Sequence, residues 1–271
     1  MNNGTGPEVH ERFYAANRWQ TPRPICPTEY ELTVYRRCIG AVAANHPGGR
    51  MLILGSTPEL RDLALAAGLV PVACDHSRQI WESMSKLMRQ HGPEEFLNCN
   101  WLELPEDRTY EVIAGDGSFV MLAPEQLEPM LRKISRLLRP EGVAVFKVGA
   151  RSRPFPVRLF AEAVAEYRHV RPAMPLYYYL LYLVTEIRSE NFPDLTVREV
   201  WERHLFPYLT PDEIAGIRPK LVDARFYTPP KAEFDAMVAR HFTVEEVTES
   251  PGIGRWGNVF MYVLRSLPSQ C

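Results

Sequence analysis

The chain of 271 residues is 46% hydrophobic and carries 33 acidic against 31 basic side chains, for a formal net charge of −2. That is enough apolar chain for one large domain with a full core, or for a domain carrying an insertion. A charge so close to neutral gives no sign of the extended basic surface that non-specific nucleic-acid binding requires, so nucleic acid is not an expected partner.

The first residues, MNNGTGPEVHERFY, lack the basic-then-apolar pattern of a secretory leader. A short helix over Val9 to Asn17, a proline-rich turn at Thr21 to Pro27 and a firmer helix over Thr28 to Ala44 follow, the last with Leu32, Tyr35, Ile39 and Val42 on one face. Tyr14, Arg18 and Trp19 are candidate lid groups over a ligand, with Tyr14 and Trp19 as candidate substrate contacts. The alternative is that they anchor the arm to the core.

Met51 to Leu54 is a continuous apolar run, as expected of a strand covered on both faces in a parallel sheet. Gly55 ends it, Ser56 or Thr57 can cap a helix, Pro58 suits a first helical position, and Gly68 stops that helix before a second strand, Leu69 to Cys74. Asp75 ends the second strand, twenty positions after Gly55. In such a unit neighbouring strand ends lie side by side, and ligands occupy the crevice beyond them. Gly55 allows close approach, the helix N-terminus offers N–H groups, and Asp75 can accept both hydroxyls of a ribose.

A helix capped by Ser77 is expected to turn Ile80, Trp81, Met84, Leu87 and Met88 inward. Phe96 to Asn98 is a brief third strand, followed by Cys99-Asn100-Trp101-Leu102, and Tyr110 to Gly115 is a fourth, ending in Gly115-Asp116-Gly117-Ser118. Asp116 brings a second carboxylate to the edge that carries Asp75; the competing reading is a carboxylate bonding its own turn. Leu127, Leu131, Ile134 and Leu138 form a helix stripe, and Pro129 argues for a start near Glu128. After a turn at Pro140-Glu141-Gly142, Val143 to Val148 is a fifth strand. The alternation of strand and helix predicts an α/β fold, a Rossmann-like doubly wound sheet.

From Arg151 to Tyr227 the pattern is helical, which reads as a cap or insertion. Leu176 to Ile187 holds four tyrosines, of which Tyr178 and Tyr182 are candidate substrate contacts in an aromatic-lined pocket. Ordinary cap packing is the plainer account of these rings. His204 is a candidate base on an apolar helix face, where a histidine is otherwise a hydrogen-bonded packing residue. A helix over Lys231 to His241 precedes two strands, Phe242 to Val247 and Asn258 to Arg265, whose short connection makes them antiparallel. The five cysteines, Cys26, Cys38, Cys74, Cys99 and Cys271, show no metal-finger spacing, and their odd number argues against a disulfide framework. A soluble protein of the reducing cytoplasm is expected, with no membrane partner. The expected division is a helical arm over 1–45, a ligand-binding core over 46–150, a helical cap over 151–228, and a segment over 229–271 that completes the core.

The glycine turn, the acid after the second strand, the Gly115-Asp116 edge and the terminal antiparallel pair together resemble the class I S-adenosylmethionine-dependent methyltransferases. Leu54-Gly55-Ser56-Thr57-Pro58-Glu59 looks like a bacterial subset that reads L-G-x-T-P-E in place of G-x-G-x-G. The resemblance implies S-adenosyl-L-methionine as cofactor. It assigns Gly55, Ser56 and Thr57 to the methionine end, Asp75 to the ribose, His76 to the neighbourhood of the adenine, Asn100 to the adenine amino group with Trp101 beside it, and Asp116 with Gly117 to the reacting methyl. Asn100 stands where aspartate is more frequent, and no Asp-Pro-Pro-Tyr or Asn-Pro-Pro-Tyr follows the fourth strand, which points away from nucleic-acid base methylation. The implied reaction is methyl transfer to oxygen or nitrogen of a small, aromatic or heterocyclic acceptor, with Asp116 and His204 as candidate bases; a homodimer is a candidate assembly, which the sequence itself leaves open. A non-catalytic cofactor-binding or scaffold subunit of the same fold is the second reading, and a nicotinamide oxidoreductase, which would carry G-x-G-x-x-G, the third.

Overall fold

The structure, a computed structural model, describes residues 26–172, 174–251 and 258–267. The expectations for Tyr14, Arg18 and Trp19, and for the helix over 9–17, lie outside the described residues. Thr28 caps the first described helix, α1 (Glu29–Ala43), in a reciprocal box with Glu31, and the chain then enters β1 (Arg50–Leu54). Alternation continues through α2 (Pro58–Ala66), β2 (Val70–Cys74), α3 (Arg78–Ser85), β3 (Glu95–Leu97), β4 (Tyr110–Asp116), α4 (Pro124–Leu137) and β5 (Leu138–Gly149). The helices α5 (Leu159–Val170), α6 (Leu176–Asn191), α7 (Val197–Val200) and α8 (Pro211–Ile217) follow, then α9 (Lys231–Ala239), β6 (Phe242–Glu249) and β7 (Val259–Ser266).

The strands form one seven-stranded sheet in the order β3-β2-β1-β4-β5-β7-β6. The first five are parallel, and β7 runs antiparallel to both β5 and β6. The fold is thus Rossmann-like and doubly wound, mostly parallel with a terminal antiparallel pair, as the sequence predicts. Because β1 neighbours both β2 and β4, the winding reverses there, which opens a crevice beyond the ends of β1 and β4. Apolar side chains from alternate positions fill two cores. Leu52, Leu54, Ile113 and Phe146 pack with α4 and α9 on one face, and Met51, Ile53, Val112 and Val145 pack with α1 and α2 on the other. A third cluster, centred on Trp201, Leu183 and Phe160, lies among α5, α6 and α7.

Three local expectations need correction. Helix α3 ends at Ser85, so Leu87 and Met88 fall outside it, and Trp81 is half-buried, stacked on Phe96 at 4.8 Å between centroids. Helix α4 starts at Pro124 rather than near Glu128, with Pro129 in its interior. The Gln126 side chain accepts the Ala123 N–H, and Leu127, Met130, Leu131, Ile134 and Leu137 are buried, which outweighs the backbone bond that Pro129 cannot make. The stretch Pro140-Glu141-Gly142 bulges out of β5 between the pairs Tyr110–Leu138 and Val112–Val143, so the strand begins before the expected turn.

Candidate functional site

Beyond the ends of β1 and β4 lies a cleft with a cavity volume of about 130 Å³, open to solvent. The turn after β1 forms one wall. Gly55 takes φ +109°, a conformation that a side-chain-bearing residue adopts only with strain, and its N–H donates to the Cys74 carbonyl at 2.8 Å. Ser56 and Thr57 then line the cleft as the chain enters α2. At the end of β4, Gly117 takes φ +71°, which turns the backbone so that Asp116 and Gly117 also line it. The Ser118 hydroxyl donates to the Leu54 carbonyl at 2.7 Å and ties the two strand ends together.

The floor is a buried charge cluster. Lys147, on β5, places its Nζ 3.1 Å from Glu31 Oε2 and 3.3 Å from Asp116 Oδ1. Glu31 belongs to α1, is fully buried, and also accepts the Thr28 N–H and the Ser250 hydroxyl, each at 2.7 Å. The Tyr35 hydroxyl donates to the Gly115 carbonyl at 2.8 Å and accepts the Lys147 N–H at 3.2 Å, so α1 positions both strand ends. Burial opposes the charge on Lys147, but Asp116, Tyr182 and Glu31 outweigh it and hold the ammonium pKa well above its ordinary value. Burial raises the Tyr182 phenol, with Lys147 pulling it down and Asp116 pushing it up. Across the cleft, α6 contributes Leu181, Tyr182 and Thr185, joined by Phe226, Thr228 and Val259. One side of the cleft is therefore charged and the other mainly apolar.

Of the residues singled out from sequence, Ser56, Thr57, Asp116, Gly117 and Tyr182 meet in this cleft. Asp75 stands just behind it, bound through Ser56, whose hydroxyl donates to Asp75 Oδ2 at 3.0 Å, while the Ser77 N–H donates to Oδ1 at 3.1 Å. Burial pushes the Asp75 carboxyl above its ordinary range, opposed by the Ser77 N–H, His76 and Ser56. His76 is adjacent, with Nδ1 4.0 Å from Asp75 Oδ1. Asn100 is exposed and uses its side-chain carbonyl to cap the turn Trp101–Glu103, accepting the Leu102 N–H. The Trp101 indole donates to the Cys74 carbonyl at 2.7 Å and faces the open side of Gly55. Tyr178 and His204 do not line the cleft. Tyr178 packs in the cap core edge-on to Tyr177, and His204 stacks on Phe192 at 4.0 Å between centroids. Tyr14 and Trp19 fall outside the described residues.

Sequence reasoning missed Lys147, Glu31 and Tyr35. For Lys147 a signal existed: a lysine within the apolar run Val143 to Val148 stands where both faces of the sheet are covered, and lysine is almost never fully buried unless paired. Tyr35 reads as an ordinary stripe residue of α1, and Glu31 as one more polar residue of its first turn.

No protein-family model and no curated relative matches the sequence. Solved structures do match. The N-methyltransferase NodS from Bradyrhizobium japonicum WM9 in complex with S-adenosyl-L-homocysteine superposes with a TM-score of 0.55 at 10% identity, over 96% of this chain and 99% of that one. A 1,6-didemethyltoxoflavin-N1-methyltransferase from Burkholderia thailandensis, with bound 1,6-didemethyltoxoflavin and S-adenosylhomocysteine, gives 0.50 at 14% identity, over 86% of this chain and 79% of that one. A putative Zn-dependent alcohol dehydrogenase from Rhodobacter sphaeroides gives 0.62 at 14% identity, over 98% of this chain and 100% of that one. At these identities the likeness is one of fold. Among the described residues no group of three or more His, Cys, Asp or Glu is placed to hold a metal ion, and no helix is long and apolar enough to cross a membrane.

Proposed function

We propose that this chain is an S-adenosylmethionine-dependent methyltransferase acting on oxygen or nitrogen of a small aromatic or heterocyclic molecule. The carrying observation is the convergence, at the reversal point of the sheet, of the Gly55–Thr57 turn, the Asp75 carboxylate behind it and the Asp116-Gly117 turn opposite. The residues present fit the cofactor. The two Asp75 oxygens share donors from Ser56, Ser77 and the His76 backbone, and with about four lone-pair sites between them the carboxylate keeps acceptor capacity for a ribose hydroxyl. A Cβ at Gly55 would meet only the edge of the Trp101 ring, at 4.0 Å, so this side of the glycine has room for a ligand.

When bound, S-adenosylmethionine supplies a methyl group already activated by its sulfonium. The protein's work is placement. Ser56 and Thr57 hold the methionine end, Asp75 orients the ribose, and the wall formed by Leu181, Tyr182 and Phe226 aligns a flat acceptor while excluding water. Lys147 fixes the Asp116 carboxylate, which is the base for an acceptor that must lose a proton. His204, stacked outside the cleft, is not assigned that role. The partner proposed is thus a small-molecule acceptor, with a second copy of the chain as the assembly partner.

Calorimetric titration of S-adenosylhomocysteine into the wild type and Asp75→Ala tests this reading, with NAD titrated in parallel. Micromolar binding of S-adenosylhomocysteine and at least a tenfold loss in the variant, about 1.4 kcal/mol, are expected. Binding of NAD alone, or equal affinity in wild type and variant, overturns it.

A further inference from the structure

A pair of thiols stands at the outer edge of the crevice, apart from the charged floor. Cys74 is the last residue of β2 and fully buried, and Cys99 lies two residues beyond β3, partly exposed. Their Sγ atoms are 3.4 Å apart, in direct contact. β2 and β3 pair in parallel through Cys74 and Leu97, so the two cysteines are carried by adjacent strand ends in fixed register. The Cys74 carbonyl is also a junction: it accepts the Gly55 N–H and the Trp101 indole N–H. Cys99 is the next residue but one before Trp101.

We infer that Cys74 and Cys99 are a redox-active dithiol, a modification site that closes to an intramolecular disulfide by exchange with a low-molecular-mass disulfide such as oxidised glutathione. The roles of the two sulfurs differ. The hydrogen bond shared by the two sulfurs lowers the Cys99 thiol below its ordinary value, while that same bond and burial push Cys74 up. Cys99 is therefore the exposed nucleophile and Cys74 the resolving thiol. The Cys99 thiolate attacks one sulfur of the glutathione disulfide, whose S–S bond breaks to release one glutathione thiolate. Cys74 then attacks Sγ of Cys99, its proton passing to solvent and on to the released thiolate, and the second glutathione leaves. Two protein thiols are oxidised, and one disulfide is reduced to two thiols. With the sulfurs already in contact, closing the bond moves each by less than about 1 Å, given an S–S bond of roughly 2 Å. The bridge joins the end of β2 to the segment carrying Trp101, and so stiffens the edge where Gly55, Asp75 and Trp101 meet.

The bond itself does not depend on the methyltransferase reading, and its test uses no cofactor. The full-length protein is incubated with oxidised glutathione, quenched with acid, digested without reductant and mapped by mass spectrometry, before and after dithiothreitol. A bridge between the Cys74 and Cys99 peptides, absent after dithiothreitol, is the expected result. In Cys74→Ser the exchange is expected to stop at a glutathione adduct on Cys99. No bridge in the wild type, a bridge between any other pair, or glutathione adducts persisting at Cys99 with Cys74 reduced each overturn the inference. A failure of the cofactor titration with a bridge still formed would count against the proposed activity alone.

Discussion

Lys147 is the residue on which the floor of the cleft depends. Its ammonium lies between two carboxylates and is almost entirely withdrawn from water. Deleting one member of such a cluster leaves charge buried without its partner, a loss of about 3–5 kcal/mol, whereas changing two members together costs less than the sum. Lys147→Met is expected to lower the unfolding free energy measured by urea titration by an amount in that range, and Glu31→Gln with Lys147→Met to recover part of it. Strict additivity of the two changes would show that Glu31 and Lys147 do not act as a unit. Glu186 of α6 makes a second prediction at this scale. It is fully buried, and burial pushes its carboxyl up to about 8 against the pull of Arg151. The folded state therefore keeps a proton that the unfolded chain has already lost between about pH 4.5 and 8. Its contribution is complete below that window and is lost as pH rises through it, with a slope approaching about 1.4 kcal/mol per pH unit. Unfolding free energy measured across the window should fall for the wild type and lie flatter for Glu186→Gln; parallel curves would show that the group does not titrate with folding.

Helix α4 carries the clearest conflict between local preference and packing. Pro129 in its interior has no backbone N–H to donate to the preceding turn, yet the helix continues because its apolar stripe is buried throughout. Pro129→Ala is expected to raise stability by about 1–3 kcal/mol, read as a higher midpoint in thermal or urea unfolding. No change would mean that the helix has already bent to relieve the clash. The same helix shows why an expected start near Glu128 fails: a propensity argument sees Pro129, but not the core beneath Leu127 and Met130. The strands were legible for the opposite reason. Met51 to Leu54 and Val112 to Ala114 are apolar runs closed by glycine, and no tertiary contact competes with that signal. In the cap the sequence is silent about which ring faces the cleft, because α6 is buried around nearly its whole circumference, at twelve of sixteen positions. Leu181, Tyr182 and Thr185 share the turn that reaches the cleft, and Tyr178, one turn earlier, meets Tyr177 and the cap core instead. Periodicity names a face; it does not say where along the helix that face meets an opening. Asp116 and Ser56 were visible because they end strands, whereas Glu31 and Tyr35 reach the site only through the packing of α1 across the sheet.

At the scale of the molecule, the sheet and the cap hold separate apolar clusters, joined through contacts such as Tyr227 N–H to the Val120 carbonyl. Separate cores open separately. Hydrogen exchange followed by mass spectrometry is expected to give α6 a lower opening free energy than β1 and β4, and a single shared value would show one cooperative unit. The order of the strands has a further consequence for how the protein is made. Because β7 lies between β5 and β6, strand β6 has no place in the sheet until β7 arrives, and β5 keeps a bare hydrogen-bonding edge until then. On the ribosome, where synthesis runs from the N-terminus at about 5–20 residues per second, that apolar edge stays open for several seconds after β5 has emerged. Ser250, which holds Glu31 in the cleft floor, arrives in the same late interval. A nascent chain stalled before residue 259 would therefore expose an edge prone to pairing with its neighbours and lack a finished floor, so that β7 both seals the sheet and completes the pocket.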